Sequence, residues 1–219
     1  MDARTASNRR VADSALRTDG RGAGSGGTLV GLTTTDGVLL VADSRTSRGT
    51  TVAGSVRKIE RVGPTAALGS TDDLGTVQSF VRAVRFEANR YETDREEPMA
   101  LQALGTAASE ALQAEPDQTA TFVLGGVDRD GPHVFTIDPD GSLLKDPYVA
   151  AGTGRDLVYG VLDAEVAESP TMAEARRTAG NALAVATARD APTGIEVHVA
   201  EITSEGVDIR QYESPDELQ

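Results

Sequence analysis

Residues 24–43 read GSGGTLVGLTTTDGVLLVAD. A glycine-rich run gives way at Thr28 to two apolar runs, rich in Val and Leu, separated by Thr35, Asp36 and Gly37. Short apolar runs bounded by turn residues read as strands. An Asp-Gly pair between them supplies the positive φ of a hairpin turn. The fold is therefore expected to begin at Thr28 with a hairpin. Residues 1–27 are polar, small and Gly/Ser-rich, and are expected to be a disordered or propeptide-like segment.

Further strands are expected near residues 50–53 and 65–70. The period then changes: Leu74, Val77, Val81, Val84, Ala88 and Tyr91 recur at spacings of three and four, one face of a helix, with Asp72 or Asp73 placed to cap it. A second helical run is expected from Pro98 to about Gln113. Strands return in ATFVLGGVD, GPHVFTID and GSLLKD, separated by turns at Asp130–Gly131 and Asp140–Gly141. Two more helices follow near residues 156–167 and 171–189, then IEVHVAEIT and VDIRQY. Strands, two helices, strands, two helices, strands: packed in layers, this order suggests two sheets face to face with a helix pair outside each.

Composition narrows the chemistry. The 219 residues, enough for one domain with a substantial core, carry 34 acidic and 21 basic side chains, a net charge of −13. The acid is spread along the chain, which argues for a solvated acidic surface and against nucleic-acid binding. Only Lys58 and Lys145 are lysines. Abundant carboxylate with almost no lysine suits a high-salt cytoplasm; a GC-rich genome also depletes lysine. No cysteine is present, so thiol catalysis, disulfides and Cys-type zinc sites are excluded. No apolar run approaches the roughly 18 residues of a membrane span, and residues 1–27 contain five arginines but no apolar core of a secretory signal. A cytoplasmic protein that binds neither membrane nor nucleic acid is expected.

His133 and His198, the two histidines, fall in strand-like runs and lack metal-ligand spacing. GVDRDG and IDPDG read as hairpin turns, since neither continues to the glutamate a calcium loop needs. GTGRD at 152–156 opens a helix, either as a tight turn or as an anion-binding loop. No cofactor or metal is expected. The sharper constellation is non-local. Asp43 ends a strand fifteen residues before Lys58, and ARDAPTG places Asp190 and Thr193 where a helix stops. An amine held by carboxylates can lower the pKa of a hydroxyl nucleophile and steady the developing anion; the same residues also read as ordinary surface charges.

From about Thr28 to Tyr212 the chain resembles the β-type subunits of proteasomes, N-terminal nucleophile hydrolases, and most closely the archaeal ones. The resemblance is carried by VGLTTTDGVLLVADSRTS, KIERVGPTAAL, QSFVRAVRFEANRYE, GGVDRDGPHVFTIDPDGSL, AAGTGRDLVYGVLD, ARDAPTG and EGVDIRQY, in that order. It implies an α+β fold, a four-layer αββα sandwich over residues 28–212, between the leader at 1–27 and an acidic tail at 213–219. It also implies assembly with other β-type subunits in a seven-membered ring, stacked on α-type subunits, to degrade proteins and peptides. In the family a propeptide is cut after a glycine to free a threonine whose hydroxyl is the nucleophile. Thr28 is the candidate for that role; Asp43, Lys58 and Asp190 match the supporting acid, lysine and later aspartate. Thr153 and Thr193 stand where family serines surround the nucleophile.

Two positions depart from the family pattern. Where the family shows G-T-T-T-V-G, this chain has GGTLVG, and matching without gaps sets Gly27 at the nucleophile. Matching from Lys58 through Gln78 sets Asp72 at the glycine whose N–H stabilises the oxyanion. An active site would instead need cleavage before Thr28, a one-residue slip of the first strand that reverses its faces, and Gly69 acting for Asp72. Three readings follow: a β-type subunit with impaired or absent protease activity, an active threonine endopeptidase using Thr28, or a freestanding binding protein of this fold.

Overall fold

The structure is a computed structural model and describes residues 26–48, 51–72, 74–114 and 119–219. Its strands are β1 (Thr28–Thr33), β2 (Val38–Asp43), β3 (Arg45–Arg48), β4 (Thr51–Ser55), β5 (Ile59–Gly63), β6 (Ala66–Ser70), β7 (Phe122–Asp128), β8 (Gly131–Ile137), β9 (Leu143–Asp146), β10 (Tyr148–Gly152), β11 (Val197–Thr203) and β12 (Gly206–Tyr212). The helices are α1 (Leu74–Arg95), α2 (Leu101–Gln113), α3 (Arg155–Glu165) and α4 (Met172–Arg189). One antiparallel sheet runs β10-β1-β2-β11-β12, a second runs β5-β6-β7-β8-β9, and β3 and β4 form a separate hairpin.

The alternation of side chains along β1 and β2 explains why Leu29–Leu32 and Val38–Ala42 are apolar throughout. Leu29, Val38, Leu40 and Ala42 enter the core between the sheets, with Ile59, Val123 and Val134. Their neighbours Val30, Leu32, Leu39 and Val41 enter a second core, against Val158, Leu162, Ala179 and Leu183 of α3 and α4. With a period of two and both faces covered, every position but Thr33 is buried. A third core holds Val77, Phe80, Val81 and Val84 of α1 and Leu104 and Leu112 of α2 against Leu68, Phe122 and Phe135. The layers are α1/α2, sheet, sheet, α3/α4: the αββα sandwich expected from the order of elements.

Several local readings are corrected. Helix α2 starts at Leu101, not Pro98, because Ala100 is extended and the Leu101 N–H donates to Asp128 Oδ2 at 2.8 Å. Helix α1 runs four residues beyond Tyr91, to Arg95. Strands β3, β5 and β10, not read from the pattern, pair with β4, β6 and β1. The hairpin turn after β1 does not use a left-handed Gly37. Glycine is needed there for space, since a Cβ would fall within 3.0 Å of the Ile202 carbonyl oxygen. Gly131 and Gly141 do adopt positive φ, at 102° and 82°. Helix α4 begins one residue later than read, behind a capping box of Thr171 and Glu174. Past Tyr212, a short 3-10 turn at Pro215–Leu218 buries Leu218 against α4. Most of the expected leader, residues 1–25, lies outside the described residues, as do Thr50 and the possible cap Asp73. No helix among the described residues is long and apolar enough to cross a membrane.

Candidate active site

Asp43 is the last residue of β2 and is wholly buried. Its Oδ2 accepts the backbone N–H groups of Arg45 (2.9 Å) and Gly194 (2.8 Å). Its Oδ1 accepts the Thr28 N–H at 2.8 Å and the Lys58 ammonium at 2.8 Å. Four donors compensate the carboxylate for leaving water. Lys58 stands immediately before β5, only 4% exposed, and its Nζ also donates to the Gly26 carbonyl at 3.0 Å. Burial pulls the Lys58 ammonium below its ordinary pKa, while the adjacent Asp43 charge and hydrogen bond oppose that shift.

Asp190 caps the C-terminus of α4. Its Oδ2 accepts the hydroxyls of Thr153 (2.7 Å) and Thr193 (2.6 Å). Thr193 Oγ1 also lies 2.7 Å from Thr28 Oγ1. Because the Thr193 proton is committed to Asp190, the Thr28 hydroxyl is the donor in that pair. The six expected residues thus form two groups: Asp43 with Lys58, and Asp190 with Thr153, Thr193 and Thr28. Residues 26–28 run between the groups and are bonded to both. The Asp190 charge also favours the Lys58 ammonium, less than the adjacent Asp43 does.

The faces of β1 separate Gly27 from Thr28. A Cβ on Gly27 would lie within 3.0 Å of both Lys58 Nζ and Asp43 Oδ1, so position 27 looks into the ion pair. Thr28 is turned the other way, its hydroxyl on Thr193 and so close to Gly154 that a Cβ there would overlap Oγ1. The pairing of Thr28 with Gly152 in β10 fixes this register. At the other departure, the Asp72 N–H donates to Ser70 Oγ at 3.3 Å. Gly69, the substitute considered for Asp72, is inside β6, opposite Ile59 and Val123 and packed under Leu29.

Sequence reasoning missed the backbone groups of this site. The Gly194 N–H completes the Asp43 carboxylate, and the Arg45 guanidinium holds the neighbouring loop through the Ala191 carbonyl at 2.6 Å. Gly152 and Gly154, in the stretch weighed as an anion loop, pack instead on Gly27 and Thr28. The density of glycine in GTGRD was the available signal; its target was not. His198 of β11 also belongs to this end of the sandwich. Its pKa is held down by burial and by Arg57, and its buried Nδ1 has no partner among the described residues.

Comparison with known proteins agrees with this architecture. A family model described as proteasome subunit matches residues 24–202. The chain is 44% identical over 185 residues to a proteasome subunit beta of Halobacterium salinarum, an alignment covering 84% of this chain and 76% of the relative. It is 40% identical to a proteasome subunit beta of Halorhabdus utahensis, covering 86% and 82% of the two chains. A proteasome subunit beta 2 of Haloterrigena turkmenica is also 40% identical, over 86% and 80%. The chain belongs to the proteasome subunit family, and its relatives there include archaeal β subunits.

Proposed function

We propose that this chain is a β-type subunit of a 20S-like core particle in the cytoplasm, and that its own threonine-protease centre has lost its nucleophile. It takes a place among other β-type subunits in a seven-membered ring, stacked on α-type subunits, and contributes wall and contacts rather than peptide hydrolysis. The observation that carries this reading is the direction of position 27. The residue facing the Lys58–Asp43 pair is glycine, which has no hydroxyl.

Acyl transfer at this site needs a hydroxyl beside the amine and a donor aimed at the developing oxyanion. The hydroxyl of Thr28 sends its proton toward Thr193 and Asp190, on the face away from the ion pair. The Asp72 N–H is engaged by Ser70. Losing the nucleophile of a protease costs on the order of 10⁶ in kcat, and losing one oxyanion donor about 10²–10³. The first loss alone leaves the subunit silent, and the second lowers further what a restored hydroxyl could do.

A second reading has one observation in its favour. The Thr28 nitrogen already lies 2.8 Å from Asp43 Oδ1, so an amine freed there would join the charge centre. Fluorogenic-peptide hydrolysis by the assembled chain in high-salt buffer, with and without Lys58→Ala, separates the two. Turnover at the background of the Lys58→Ala variant supports the silent subunit. Turnover that this substitution abolishes supports Thr28 as an active nucleophile.

A further inference from the structure

Three of the side chains that match the family's proteolytic group, Lys58, Thr153 and Asp43, hold the same three residues of their own chain. Lys58 Nζ donates to the Gly26 carbonyl (3.0 Å), the Gly27 N–H donates to Thr153 Oγ1 (3.1 Å), and the Thr28 N–H donates to Asp43 (2.8 Å). The Gly154 N–H reaches the Gly27 carbonyl at 3.4 Å. Every backbone polar group from the Gly26 carbonyl to the Thr28 N–H is therefore bonded by the cleft.

The fit admits only glycine at several points. A Cβ on Gly26 would collide with Pro192, and one on Gly27 with Lys58 and Asp43. From the cleft side, a Cβ on Gly152 would collide with the Gly27 carbonyl, and one on Gly154 with Thr28 Oγ1. Gly27 also has φ 132°, a conformation other residues rarely adopt. Gly27 and Thr28 are buried, and with them the amine and carboxylate behind.

We infer that the cleft is a clasp for this chain's own backbone at residues 26–28, closed by that backbone to any other peptide. Lys58, Asp43, Thr153 and Asp190 are positioning residues of the clasp. The inference rests on the reading that the bond between Gly27 and Thr28 stays intact. It goes beyond loss of activity, because a site without a nucleophile could still have been open to peptides.

The lysine content supplies a direct test. Lys58 lies behind the clasped backbone, whereas Lys145 is exposed on β9 and serves as an internal reference. An amine-acetylating reagent is applied to the full chain in high-salt buffer, and labelling is read by peptide mass spectrometry. Lys58 is expected to react at least about 100-fold more slowly than Lys145, as for a group reached only by local opening. Gly27→Ala, whose methyl must displace the ammonium, and Thr153→Val, which removes the acceptor of the Gly27 N–H, should each speed Lys58 labelling about tenfold or more, with Lys145 unchanged. Amide hydrogen exchange in the unmodified chain covers the case of a variant that fails to fold: Gly27 and Thr28 should exchange as slowly as Leu29 and Val30. Lys58 reacting as fast as Lys145, or fast exchange at residues 27 and 28, would overturn the clasp while leaving the silent-subunit reading intact. Peptide turnover that Lys58→Ala abolishes would overturn the silent-subunit reading and the clasp with it, since a cleft closed to other peptides hydrolyses none.

Discussion

The Cα of Gly27 aims its missing side chain at the ammonium of Lys58: a Cβ at that position would lie within 3.0 Å of Nζ. The ion pair of Lys58 with Asp43 thus occupies the space that a larger residue at position 27 would need. This makes simple repair hard. Gly27→Thr restores a hydroxyl behind Gly26, but at φ 132° it places a β-branched residue in a strained conformation costing about 1–3 kcal/mol.

Gly27→Thr alone is therefore expected to lower stability and give little turnover, because Asp72 still stands at the proposed position of the oxyanion donor, a loss of about 10²–10³. Asp72→Gly alone should be silent. Together the two should be strongly non-additive, as for residues that act as one catalytic unit. Precursor cleavage before position 27 and fluorogenic-peptide hydrolysis read the outcome. Activity in either single variant equal to that of the double would contradict the assignment of both departures.

Asp43 is expected to matter for folding whatever the chemistry. Its removal leaves the Lys58 charge buried and strips acceptors from the N–H groups of Thr28, Arg45 and Gly194. Breaking one partner of a buried pair costs about 3–5 kcal/mol. Asp43→Ala should lower the unfolding free energy by roughly that amount in chemical denaturation, whereas Asp208→Ala, in an exposed ion pair with Arg210, should change it by less than about 1 kcal/mol.

How far the sequence could be read follows from the range of the interactions. The layers are legible because β1 and β2 are apolar runs around a turn and α1 carries its own three-four spacing, and the candidate pair stands out because lysine is so rare. The start of α2 was not legible: Asp128, 27 residues away, decides it by bonding the Leu101 N–H. Gly37 is a turn glycine, as its place after Asp36 implies, but its constraint is the Ile202 carbonyl on another strand and not a positive φ. The face of Thr28 could be posed as a question from its register, but only its pairing with Gly152 answers it.

Acid sensitivity should trace to His198. Burial and the Arg57 charge, with Lys58 adding to them, hold its pKa below the ordinary value, against the carboxylates of Glu196 and Asp43. Below the unfolded value of about 6.5 the unfolded chain binds a proton the folded chain resists, so stability rises with pH across this range and is lost as pH falls. Denaturation at fixed high salt should show stability decreasing from pH 7 toward pH 5. His198→Gln should flatten that slope; an unchanged slope would assign the sensitivity to other groups.

The central claim is that no free nucleophile faces Lys58, and the state of the bond between Gly27 and Thr28 tests it most directly. Protein purified from its native cells in assembled particles is analysed by N-terminal sequencing and intact mass. The account predicts that Gly27 is still joined to Thr28 in every copy, with peptide turnover no higher than in the Lys58→Ala variant. An N-terminus at Thr28, accompanied by turnover that Lys58→Ala abolishes, would contradict it.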